Sequence, residues 1–143
     1  QGQFNAATVR DYVNNGGIVL TEWNVSDDVF NAVFQANVQQ TVFTGSCTDK
    51  MPLQAQFTPA DPFWSANAFV AEPLGESGCG YPIGAYPGIT PLSGWSATEV
   101  AVAYRNLGLG RLWLTEFDWS DGEQYPGYEF TNTAMGYMLK TRN

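Results

Sequence analysis

Val9-Arg10-Asp11-Tyr12-Val13-Asn14-Asn15-Gly16-Gly17-Ile18-Val19-Leu20-Thr21-Glu22-Trp23 decides how the fold is read. Asn5, just ahead, is a residue type that caps a helix, and Phe4, Val9, Tyr12 and Val13 fall on one helical stripe. Asn14 to Gly17 are residues that tolerate left-handed backbone, so they end the helix. Ile18 to Trp23 is short, β-branched and almost continuously apolar. Such a run predicts a strand covered on both faces.

Beyond this strand, Ser26 reads as the N-cap of a second helix, with Asp27 and Asp28 placed to favour its dipole. Val25 and Phe30 have the spacing of a hydrophobic staple, and Val29, Phe30, Val33 and Phe34 form the buried stripe. From about residue 39 to 96 the periodicity fails. That stretch holds most of the prolines and both cysteines, and is expected to be one long irregular insertion. Order returns at Glu99–Arg105, and a Gly-rich turn, Leu107-Gly108-Leu109-Gly110, leads into Arg111–Phe117. This is the pattern of a β-hairpin. A closing helix is expected from about Tyr128, with Phe130, Ala134, Tyr137 and Met138 on one stripe.

Leu20-Thr21-Glu22-Trp23 and Leu114-Thr115-Glu116-Phe117 echo one another, and each is soon followed by Asp. The echo predicts two parallel strands ending at the same sheet edge with matching chemistry there. Four residues are too few to indicate a duplicated domain.

The 143 residues suffice for one domain with a core, and 44% apolar with 15% aromatic content excludes a disordered chain. No apolar run approaches the roughly 20 residues that span a bilayer. Net charge is −8, from 14 carboxylates and six scattered cations, which argues against nucleic acid or an anionic membrane as partner. Cys47 and Cys79 sit in Gly/Ser-rich contexts and are expected to form a disulfide. It would close a loop of roughly 30 residues, worth about 3–4 kcal/mol in the chain-entropy model, and would place the protein outside the cytosol.

The order helix, Gly-Gly, apolar strand, then Gly108-Leu109-Gly110-Arg111-Leu112-Trp113-Leu114 and a closing helix resembles the class I glutamine amidotransferase-like fold. The resemblance covers about 60 residues at the two ends. It implies a single α/β domain over 1–143 with a mostly parallel, flavodoxin-like sheet flanked by helices, a disulfide-held insertion, and a C-terminal hairpin plus helix. It also implies strands before the first helix, so that this chain would be the C-terminal part of a longer fold. Catalytic members resemble one another in a Cys-His-Glu triad. This chain has no histidine, and Pro73-Leu74-Gly75-Glu76-Ser77-Gly78 ahead of Cys79 does not read as the apolar strand that precedes the family's cysteine, so no catalytic residue is expected to carry over.

Without an imidazole, Ser-His-Asp and Cys-His nucleophile activation are closed to this chain. Carboxylates remain as candidates: Glu22 and Glu116, or Asp118, could act as a glycosidase pair if spaced about 5–10 Å apart. Asp118, Asp121 and Glu123 offer hard oxygens around Gly122 that could hold calcium; no other cofactor is expected. Trp64, Tyr81, Tyr86 and Trp95 are candidate ligand-stacking rings. Asn24-Val25-Ser26 matches the N-glycosylation pattern. The leading expectation is a non-catalytic binding or assembly domain of a secreted or cell-surface protein. Its partners are other protein chains, in self-assembly or as a companion fragment supplying strands. A glycan hydrolase and a carbohydrate-binding module are the alternatives.

Overall fold

The computed structural model describes residues 5–22, 25–39, 48–49, 55–67, 77–78, 80–116 and 128–143, with the backbone alone at 48–49, 77–78 and 128–132. The chain opens with helix α1 (Ala6–Asn14), strand β1 (Ile18–Leu20) and helix α2 (Ser26–Phe34). The middle holds β2 (Thr48–Asp49), β3 (Ala55–Gln56), α3 (Pro62–Ala66), β4 (Ser77–Gly78), β5 (Tyr81–Pro82) and β6 (Thr90–Ser96). It closes with β7 (Glu99–Leu107), β8 (Gly110–Thr115) and α4 (Tyr128–Met138).

Asn5 caps α1 as its side chain predicts, accepting the Thr8 N–H at 3.1 Å. Gly16 follows at φ +104°, a conformation glycine adopts without a Cβ penalty. Asn5→Ala is expected to cost about 1 kcal/mol, read as a lower urea midpoint at unchanged m. In α2 the N-cap is Val25, not Ser26, and no side chain caps the helix. Val25 is exposed, so the expected staple is not formed. Ser26 is withdrawn into the first turn and fully buried.

The main sheet runs β1-β8-β7-β6-β3, with β5 also paired to β7. This corrects the expected mostly parallel, flavodoxin-like sheet. Only β1–β8 is parallel; the β8–β7, β7–β6, β6–β3 and β5–β7 pairings are antiparallel. The physical reason is connection length. The Leu107–Gly110 turn and the Ala97–Thr98 turn are too short for a crossover, so each joins antiparallel neighbours. No disulfide is found among the described residues to hold the insertion, and Cys47 and Cys79 themselves lie outside them. The segments beside them are paired: Thr48 lies opposite Gly78 and Asp49 opposite Ser77.

The segment expected to be irregular contributes much of the sheet and core. β6 carries register shifts between Pro91 and Ser93, Ser93 and Gly94, and Gly94 and Ser96. A Cβ at Gly94 would lie 1.9 Å from the Glu99 carbonyl oxygen, so only glycine admits β7 at that distance. Asp61 accepts the Phe63 N–H at 2.9 Å and Pro62 occupies the first turn, which fixes α3.

The two faces of the sheet bury separate clusters. α1 and α2 cover one face, where Val13, Phe30 and Val33 pack with Leu112, Leu114, Tyr81 and Tyr86. α3 and α4 cover the other, where Phe63, Ala134 and Met138 pack with Trp113, Leu92 and Trp95. Leu112, Trp113 and Leu114 alternate between these clusters, as strand geometry requires.

Candidate functional site

The C-terminal ends of β1 and β8 carry the polar cluster. β1 and β8 lie side by side and parallel, and Thr21 extends the ladder by donating its N–H to the Trp113 carbonyl at 3.0 Å. Thr21, Ser26 and Glu116 are all buried there. The Thr21 and Ser26 hydroxyls are 3.0 Å apart, and Ser26 Oγ donates to Glu116 Oε1 at 2.7 Å. Thr115 locks the corner, its N–H donating to Thr21 Oγ1 at 2.9 Å and its hydroxyl to the Thr21 carbonyl.

Glu116 is 0% exposed. Burial pushes its carboxyl up to about 8; the Ser26 hydrogen bond opposes the rise and the Asp27 charge adds to it. Oε2 has no hydrogen-bond partner among the described residues. At neutral pH the group is therefore mostly a neutral acid. Tyr81 and Tyr86 face it, and the hydroxyls of both are raised, first by burial and then by the Glu116 charge. Tyr81 reaches this corner because β5 pairs with β7 next to where β8 ends, and its hydroxyl donates to the Leu114 carbonyl at 3.3 Å.

A hydroxyl 2.7 Å from a carboxyl that titrates near neutrality has the geometry of general-base activation. Both partners are closed off from solvent, however, so the arrangement as it stands is a sealed polar plug between α2 and the sheet. Sequence reasoning named Glu116 but assigned Ser26 to a cap. It missed Thr21, Tyr81 and Tyr86 as neighbours of the acid.

Glu22 lies two residues beyond the end of β1, and Glu116 one residue beyond the end of β8. The echo aligns Leu20 with Leu114, but the register pairs Leu20 with Trp113. That one-residue offset flips the face. Leu20 and Trp113 belong to the α3/α4 cluster, and Leu114 to the α1/α2 cluster with Glu116 beyond it. Asp118, the other candidate for the pair, lies outside the described residues.

Of the four expected stacking rings, Tyr81, Tyr86 and Trp95 are buried, at 0%, 2% and 3% exposure. Trp64 is half-buried and donates Nε1–H to the Phe57 carbonyl at 2.9 Å. Tyr81 meets Tyr86 edge-on at 4.9 Å, and Tyr86 meets Phe30 at 5.1 Å. These rings fill the core and form no exposed platform. The calcium candidates Asp118, Asp121 and Glu123, and the glycosylation candidate Asn24, lie outside the described residues. Among the described residues no group of three or more acidic or cysteine side chains is placed to hold a metal. An open groove of about 510 Å³ separates α1 from α2, with Arg10, Asp11, Asn31 and Gln35 on its walls. Arg10 donates to the Val33 carbonyl there.

No family model, curated protein or solved structure matches this chain, a result that neither strengthens nor weakens the amidotransferase-like resemblance.

Proposed function

We propose that this chain is a binding or assembly domain working outside the cytosol, and that it engages a companion polypeptide by adding a strand to the outer edge of β1. The observation that carries the proposal is the state of that edge. β1 pairs with β8 on one side, and among the described residues no strand pairs with its other side. Gly17 accepts the Arg111 N–H at 3.1 Å and Thr21 donates to Trp113, so the alternation of a parallel ladder also turns Val19 toward β8. The N–H and C=O groups of Ile18 and Leu20 are thereby turned outward. Ile18 and Leu20 are half-buried, with side chains packed against the core. An apolar strand with an open backbone edge is a template for strand addition.

The helices favour a parallel occupant. α1 and α2 cover the same face. Right-handed crossovers passing over one face step in one direction across a sheet. A strand entering β1 through a helix on the α1 face would therefore lie on the side of β1 away from β8. The extracytoplasmic setting is supported by the Gly/Ser-rich contexts of Cys47 and Cys79 and by the β2–β4 ladder between the adjoining residues.

Leu20→Pro tests the edge against Leu20→Ala. Both remove the same side chain, and only proline removes the outward N–H. Sedimentation should show association retained in Leu20→Ala and lost in Leu20→Pro, with both variants folded by circular dichroism. A native chain that stays a folded monomer at every concentration, alone and with its co-purifying chains, rejects the proposal.

A further inference from the structure

Arg111, the second residue of β8, lies on the α3/α4 face and is only 8% exposed. Its guanidinium lies 3.9 Å from the centroid of the Tyr104 ring and 5.2 Å from that of Trp113. Nε donates to Asn106 Oδ1 at 2.8 Å. Among the described residues no carboxylate pairs with this guanidinium, and its two Nη groups have no acceptor. Asp61 is engaged elsewhere on this face, taking the Tyr104 hydroxyl on Oδ2 at 2.7 Å and the Phe63 N–H on Oδ1 at 2.9 Å.

A guanidinium cannot shed its proton to escape burial. The guanidinium has lost most of its water, and stacking on two rings compensates only in part; its Nη atoms are not among the fully buried polar atoms without a partner. The indole Nε1–H of Trp113, one of those two rings, is also buried without a partner among the described residues. Arg142, one of six cations in a chain of net charge −8, donates to the Gly16 carbonyl, and the neighbouring Gly17 carbonyl takes the Arg111 backbone N–H.

We propose that Arg111 anchors a binding site for an oxyanion group, a carboxylate or a phosphate presented end-on. Asn106 holds the fork through Nε, and the Tyr104 and Trp113 rings hold its plane. That leaves the Nη donors for the bidentate contact that guanidinium makes with such groups. This site lies at the opposite end of β8 from Glu116 and does not depend on strand addition at β1.

The test is titration of the native chain with sodium phosphate and with sodium acetate against sodium chloride at constant ionic strength. The Arg111 Nε–Hε resonance and the unfolding midpoint are followed together. The Arg111 signal should shift saturably, and at roughly ten times Kd the unfolding constant should fall about tenfold. Response to acetate alone identifies a carboxylate site, and response to phosphate alone a phosphate site. Arg111→Met keeps much of the stem without the charge; it should be at least as stable as the native chain in chloride and insensitive to either anion. Should Arg111→Met fail to fold, Arg111→Lys keeps the charge without the fork and should bind about tenfold more weakly or worse. An Arg111 signal unmoved by both anions, or the same midpoint rise in native chain and variant, overturns the proposal.

Discussion

Glu116→Gln is expected to remove most of the alkaline loss of stability from this protein. Burial holds the Glu116 carboxyl at about 8 in the folded chain, against an ordinary value of 4.5. Between those two values the folded state keeps a proton that the unfolded chain has released. The stability this proton contributes is complete below pH 4.5, declines as pH rises, and is gone above about 8. The decline is on the order of 4–5 kcal/mol across the window, at about 1.4 kcal/mol per pH unit. Glutamine cannot ionise and can still accept from Ser26. Urea unfolding at several pH values should therefore show the two proteins close together near pH 4.5, with the variant the more stable by several kcal/mol at pH 9. Parallel curves over the whole range would show that Glu116 is ionised or solvated in the folded state.

Gly110→Ala should be among the most damaging conservative changes in the molecule. A Cβ at Gly110 would sit 2.0 Å from the Val13 carbonyl oxygen and 2.3 Å from that of Gly17. Both are backbone atoms, one at the end of α1 and one leading into β1, so neither can swing aside as a flexible side chain could. Accommodating the methyl would separate β1 from β8 at the Gly17–Arg111 hydrogen bond. The expected cost is about 4 kcal/mol or more, which leaves a domain of ordinary stability largely unfolded at room temperature. Near-UV circular dichroism would show the loss of ordered aromatics. A native-like spectrum with a midpoint close to that of the parent would mean that the helix end and the hairpin are less tightly apposed than described.

The parts legible in the sequence were those where local chemistry and tertiary structure agree. Asn5, the Val9–Val13 stripe and Gly16 specify α1 from their own side chains and backbone. The Gly-rich turn between Tyr104 and Arg111 specifies the hairpin. β6 was illegible because Pro91 and Gly94 erase the alternation of a strand, while the same residues make the bulges that let it pack on β7. α3 had a signal that went unread, Asp61 followed by Pro62, a cap and a first-turn proline. Tyr81, Tyr86 and Trp95 looked like ligand-stacking rings because their neighbours in sequence are glycine, proline and serine. Their surroundings in space are the core, which one-dimensional context cannot show. The echo between Leu20-Thr21-Glu22 and Leu114-Thr115-Glu116 pointed to adjacent parallel strands, and β1 and β8 are that pair. Sequence similarity carries no register, and β1 and β8 pair one residue out of step with the echo, Leu20 opposite Trp113 and not Leu114.

Hydrogen exchange along residues 17–21 tests the proposed edge most directly. In the dilute, unassembled chain the amides of Val19 and Thr21 should be slow, held by β8, and those of Ile18 and Leu20 fast. On assembly with the companion chain, Ile18 and Leu20 should slow to match them. If Ile18 and Leu20 are already as protected as Val19 and Thr21 in the lone monomer, the edge is occupied from within and no added strand binds there.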